Sequence, residues 1–355
     1  MKSYSITCGI VIVLFTVSCS ENKGTDMQRE QHINEELKKI TSLLRDTDFA
    51  FEMAKNQEAA YYVSQGQTVP VFLPDNNDTS IIKKSVKEEK IATNIAGFYA
   101  AECAIGALME QKGGTPIVWL NKINEKKLDS GEILVFNRFA NAAWKAGQPF
   151  RGLNRVTRDV FVSAVFLPEN EIKKDFGQVS AAAAKLLPAL QEINDTSKEG
   201  QLKAISLLLK DKQFAMEMAQ HMDSAYYIAR QQPVPSFLKP GEDTATLKKT
   251  VKEEKIAINI AGFYALECGL SYFATSQKKL PSSVLQSIMN DSICKEDKRL
   301  FERFANATWK AGQPFRGLDR ITRDTFTSFD LLPPEEVEKD WMQIKAAAGK
   351  LKKSL

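Results

Sequence analysis

Histidine occurs only twice in the 355 residues, as His32 and His221. Neither has a metal-ligand companion at helical spacing, so zinc, haem and Ser-His-Asp chemistry all lack their usual residue, and no metal or cofactor is expected. Cysteine is nearly as scarce. Cys8 and Cys19 fall in the first twenty residues, leaving Cys103, Cys268 and Cys294, an odd number without a C-x-x-C pair, which excludes a disulfide framework. Cys103 and Cys268 sit in apolar helical stretches, where a free thiol packs as a small hydrophobe. Charge of one sign is also missing: 48 basic and 44 acidic residues give +4, without the dominant basic surface of a phosphate-backbone binder, so nucleic acid is not an expected partner. With 13 prolines and 18 glycines the chain is neither fibrous nor of low complexity. No apolar run beyond residue 20 is long enough to cross a bilayer. What is present, 43% hydrophobic residues, suffices for one or more full cores.

The first twenty residues carry an address. Lys2 precedes an apolar stretch from about Ile10 to Val17, too short for a spanning helix, and Thr16-Val17-Ser18-Cys19-Ser20 follows. This end resembles the lipobox of bacterial lipoproteins, with Thr16 where most lipoboxes carry Leu. The resemblance covers these twenty residues only. It implies cleavage before Cys19, lipidation of Cys19, and a membrane partner reached through that lipid. Several acyl chains, at about 0.8 kcal/mol per buried methylene, hold a soluble domain on a bilayer without a spanning helix. By the same resemblance Ser20, rather than Asp, after the cysteine implies the outer membrane of a Gram-negative cell envelope, on either face. Residues 1–18 then read as signal peptide. Residues 19–30, polar and without periodicity, read as a flexible tether.

Shifting the chain by 165 residues lays Phe49 on Phe214, Tyr61-Tyr62 on Tyr226-Tyr227, Pro70 on Pro235 and Trp144 on Trp309, with no gap and roughly half of the positions identical. A period this long implies two tandem homologous domains, 31–192 and 193–355, each with its own core. Apolar spacing is helical throughout, and no stretch shows the sustained alternation of a strand, so the fold class is all-α: two helical bundles of six or seven helices each. In the first copy Ile33, Leu37, Ile40 and Leu44 mark an opening helix, and Asp46 or Thr47 caps a second through Tyr61. The prolines of Val69-Pro70-Val71-Phe72-Leu73-Pro74 break it. Asp78 or Thr79 then caps a long helix to about Met109, Pro116 opens a short one, and another runs from Phe136 to Ala146. Gln148-Pro149 starts the next helix, and a final one spans about Pro168 to Leu187.

The copies agree unevenly. VKEEKIATNIAGFYAAEC from Val86 recurs as VKEEKIAINIAGFYALEC from Val251, and FNRFANAAWKAGQPFRGLNRVTRDVF from Phe136 recurs as FERFANATWKAGQPFRGLDRITRDTF from Phe301. The stretch between these blocks shares almost nothing. Packing tolerates hydrophobic exchange, so retained polar residues need another reason. At 100° per residue Glu88, Ile95, Tyr99 and Glu102 share one helical stripe, Arg138, Asn141 and Lys145 a second, and Arg151, Arg155 and Arg158 a third. Glu102 lies among Phe98, Tyr99, Ala101 and Cys103, where an ionised carboxylate needs a cation, and the arginine stripe of the same copy is the expected source.

Three functions are compatible with this pattern. The retained residues Lys145, Gln148, Arg151, Arg155 and Arg158, with Lys310, Gln313, Arg316, Arg320 and Arg323, offer guanidinium forks to a carboxylate, phosphate or sulfate. That makes a lipid-anchored binding or scaffold protein, not an enzyme, whose partner is an anionic small molecule, a glycan or a protein. Alternatively Glu102 and Glu267 act as general acids of a carbohydrate-active hydrolase. In the third reading the same residues form a buried ion-pair network in a purely structural envelope protein. Tyr61-Tyr62, Tyr226-Tyr227 and Trp144 read as core.

Overall fold

Asp46 opens the first strongly capped helix, its carboxylate accepting from the N–H groups of Asp48 and Phe49. The same device recurs at Asp211 in the second copy. In the computed structural model the described residues are 19–74, 80–242 and 245–355, and the signal-peptide segment 1–18 lies outside them. The architecture is all-α, with 13 helices among the described residues. In the first copy they are α1 (Cys19–Arg45), α2 (Thr47–Ser64), α3 (Val86–Lys112), α4 (Pro116–Asn124), α5 (Ser130–Gly147) and α6 (Glu169–Gln191). The second contains α7 (Lys198–Lys210), α8 (Lys212–Ala229), α9 (Val251–Asn259), α10 (Ala261–Ser276), α11 (Pro281–Met289), α12 (Lys295–Gly312) and α13 (Pro334–Lys352). The pair α9–α10, bent by 41°, stands where the first copy has the single helix α3.

Four local expectations are corrected. Residues 19–30, read as a tether, continue α1: Glu, Lys, Met, Gln and Arg are good helix formers, and the segment extends a helix already fixed by buried Ile33, Leu37, Ile40 and Leu44. The long helix of the first copy starts at Val86, where the Ser85 hydroxyl accepts from Glu88 N–H; Asp78 and Thr79, the expected caps, lie outside the described residues. Ahead of it stands a strand, β1 (Ile81–Ser85), paired antiparallel with β2 (Thr246–Thr250) of the other copy. Lastly, Gln148-Pro149 opens a 3₁₀ turn rather than an α-helix, and Gly152, at φ 134, turns the chain before a second short 3₁₀ turn at Leu153–Arg155. Arg151, Arg155 and Arg158 therefore do not share an α-helical stripe.

One continuous core takes residues from both copies. Equivalent residues meet where the copies join: Phe139 stacks on Phe304 at 4.1 Å, Phe150 stacks on Phe315 at 5.2 Å, and Lys83 lies opposite Lys248 in the ribbon. Contacts in which each residue meets its own counterpart have the form of a two-fold dimer interface, here within one chain. The helix α3 is long and apolar enough to cross a membrane by length and composition, but its hydrophobic surface is covered by neighbouring helices.

Candidate functional site

The retained charges separate into two groups, and the first stitches the copies together. Glu102 on α3 accepts from Lys310 Nζ on α12 at 2.9 Å, from Ser328 Oγ at 2.9 Å and from the Phe329 N–H at 3.0 Å. Reciprocally, Glu267 on α10 accepts from Lys145 Nζ on α5 at 2.6 Å and from the Ala164 N–H at 3.3 Å. Both lysines are fully buried, and each also donates to a backbone carbonyl, Val162 for Lys145 and Thr327 for Lys310. The expected partner of Glu102, an arginine of its own copy, is thus replaced by a lysine of the other copy. A compact ammonium fits this fully enclosed site, where it donates to one carboxylate and one backbone carbonyl. The same exchange recurs nearby: Lys84 pairs with Glu254 at 2.6 Å and Lys249 with Glu89 at 2.9 Å, while Leu318 N–H donates to Glu88 and Leu153 N–H to Glu253. Beside the buried carboxylates, burial first and then the adjacent Glu102 and Glu267 push the thiols of Cys103 and Cys268 well above the ordinary range, so both are inert fillers.

The second group gathers around a cavity of about 960 Å³ formed by α2, α9, α10, α12, α13 and the turns after α12. Arg316, Arg320 and Arg323 line it, and none of the three has an ion-pair partner within reach among the described residues. Gly317, at φ 134, supplies the turn that separates Arg316 from Arg320, and a Cβ there would sit 2.4 Å from Asp319 Oδ1. Gln313 is buried and accepts from Arg316 Nη1 at 3.1 Å, which fixes the fork. Burial and the neighbouring Arg320 both lower the pKa of Arg316, with Glu254 and Asp319 as partial compensation. Like-charged guanidiniums gathered at one cavity, with no carboxylate among the described residues within ion-pair distance of any of them, form a place for an anion. Tyr61, Tyr62 and Trp309 line the same space. So does Asp340, whose carboxyl accepts from Asn306 Nδ2 at 3.1 Å and is pushed by burial up to about 8.

In the first copy the equivalent residues follow the same scheme. Arg151 Nη1 donates to buried Gln148 at 3.3 Å, while its buried Nε has no hydrogen bond and lies 4.0 Å from the nearest Glu89 oxygen. Burial, then Arg155 beside it, lowers the Arg151 pKa; Arg155 is half-buried and Arg158 exposed. Asp175 accepts from Asn141 at 3.2 Å and is pushed by burial up to about 7.

Of the expected binding residues, then, Arg316, Arg320 and Arg323 meet at the cavity, Gln313 and Gln148 position an arginine, and Lys145 and Lys310 belong to the sealed network. Glu102 and Glu267 lie in that network too, their oxygens occupied by donors of the protein, and neither lines the cavity. Cys19 is the first described residue, at the start of α1. Sequence reasoning missed Asp175 and Asp340, whose signal was recurrence at equivalent positions outside the two long matching blocks. Comparison with protein families, with curated proteins and with solved structures returns no match for this chain.

Proposed function

We propose that this protein binds an anionic ligand through the arginine cavity, held at the outer membrane of a Gram-negative envelope by lipid on Cys19. One observation carries the reading. Of the 23 residues lining the cavity, 20 are identical at the equivalent positions of the other copy, against roughly half along the whole alignment. Burial does not account for this, because Tyr61, Thr322, Arg323 and Asp324 are exposed and their counterparts are nonetheless the same residues. Exposed positions far from a function drift freely, within about 0.5 kcal/mol of neutrality. Two arginine sets in one rigid chain also suit a ligand with repeated anionic groups, since linked sites gain avidity.

The test is titration calorimetry with inorganic sulfate and phosphate. The wild-type chain is expected to bind both, with affinity falling as sodium chloride rises. Arg316→Ala/Arg320→Ala/Arg323→Ala combined with the equivalent changes at Arg151, Arg155 and Arg158 abolishes this without lowering thermal stability. Equal binding by the six-fold variant overturns the proposal. For the anchor, Cys19→Ala is expected to move the protein from the membrane to the soluble fraction.

A further inference from the structure

Anion capture alone needs two or three guanidiniums, and the cavity holds much more. Its volume of about 960 Å³ reaches the upper end of small-ligand sites, which run from roughly 300 to 1,000 Å³. Three aromatic rings enter it, from Tyr61, Tyr62 and Trp309; Tyr61 is exposed and stands edge-on to Tyr62 with ring centres 5.5 Å apart. Planar amides from Asn259, Asn306 and Gln343 line it as well. Asp340, only 9% exposed, receives one hydrogen bond, from Asn306, and is paired with no cation among the described residues. A sugar ring has flat C–H faces that cover aromatic rings, and hydroxyls that bond to planar amides and carboxyl groups. A simple dicarboxylate would leave most of these groups without a partner.

We infer that the ligand is a short anionic oligosaccharide, whose acidic group sits on Arg316, Arg320 and Arg323, whose ring faces cover the tyrosine and tryptophan side chains, and to whose hydroxyl Asp340 donates its carboxyl hydrogen. This rests on the anion-binding reading and specifies its ligand class. The donor role follows from the surroundings of Asp340. Burial raises its pKa most, and Glu302 on α12 and Glu336 on α13 raise it further, while the Asn306 hydrogen bond and Lys310 lower it. Around the same cavity Glu58 is paired with Lys255 at 3.1 Å, Glu336 with Lys339 at 2.6 Å and Asp324 with Lys210 at 3.7 Å, leaving the three guanidiniums as unpaired charge. At neutral pH Asp340 is therefore largely a neutral acid, able to donate. In the first copy Asp175 stands ready in the same way.

The experiment is calorimetry on the full chain at pH 6 and pH 9 with three probes: tetragalacturonate, maltotetraose and sodium sulfate. Tetragalacturonate is expected to bind at pH 6 at least tenfold more tightly than either other probe, and to weaken at least tenfold at pH 9. In Asp175→Asn/Asp340→Asn the amide replaces the acid as donor, so binding persists and changes less than twofold between the two pH values. Tyr61→Ala/Tyr226→Ala, at exposed positions, lowers tetragalacturonate affinity and leaves sulfate unchanged. Sulfate binding as tightly as tetragalacturonate, or a pH profile unmoved in the Asp variant, overturns this inference and leaves the anion reading standing. Maltotetraose binding as tightly as tetragalacturonate overturns the anion reading itself.

Discussion

Arg138 and Arg303 occupy equivalent positions, yet their surroundings have diverged. Arg303 is buried and donates to Asp330 and Glu110, passing over Gly106, where a Cβ would meet its Nη1 at 2.3 Å. Burial pulls its pKa down, and the two carboxylates more than offset this. At the positions equivalent to those acids, Arg138 has Val165 of its own copy and Thr275 of the other. Arg138 donates to Thr275 Oγ1 at 3.3 Å, leaves Nε without a partner, and has its pKa lowered by burial. Breaking a buried pair strands its partners, whereas replacing a poorly compensated buried charge by an apolar side chain is neutral or favourable. Arg303→Met is therefore expected to cost roughly 3 kcal/mol in urea denaturation, and Arg138→Met to leave the midpoint unchanged or raise it. Asp175 and Asp340 bind protons more tightly folded than unfolded, so their contribution is complete below pH 4 and is lost as pH rises through about 7 and about 8. The melting temperature should fall across that window, and Asp175→Asn/Asp340→Asn should flatten the fall.

At the scale of elements, the ribbon sets Lys83 directly opposite Lys248, both exposed, and neither has an ion-pair partner among the described residues. Like charges directly opposed across strands oppose pairing, and opposite charges favour it. Lys83→Glu is expected to stabilise the chain by about 0.5 kcal/mol, read as a raised urea midpoint that high salt erases. The ribbon also marks the limit of what the sequence made legible. Asp46, Pro116 and Pro168 act locally, through caps and fixed φ angles, and the helices they begin were readable within a few residues. A five-residue strand whose partner lies in the other copy has no local signature. The 3₁₀ turns failed for a related reason: Gln148-Pro149 is a sound helix start, and only Gly152, with its φ of 134, ends the helix before it forms. Of the site, the arginines were readable because both copies retain them. Their arrangement was not, since it depends on α2 of one copy closing over the turns of the other.

For the whole molecule, the governing fact is that the two fully buried lysine–glutamate pairs form across the copies and not within them. Lys310→Met leaves Glu102 buried without a cation and should cost about 3–5 kcal/mol, while Glu102→Leu/Lys310→Met recovers much of that loss, a coupling that a double-mutant cycle measures. A half of the chain expressed alone meets the same problem. Residues 26–192 would expose Phe139 and Phe150 and leave both Glu102 and Lys145 without their ion-pair partners, Lys310 and Glu267. Because Lys145 is the equivalent of Lys310, and Phe139 of Phe304, a second copy of the fragment can supply what the missing half supplied. Size-exclusion chromatography with light scattering is therefore expected to show a homodimer, with Glu102 of each protomer paired to Lys145 of the other. In that dimer Glu102→Leu should weaken association, and Lys145→Met in the same chain should partly restore it. A folded monomer of the fragment would mean that each copy closes its own core, which the crossed ion pairs argue against.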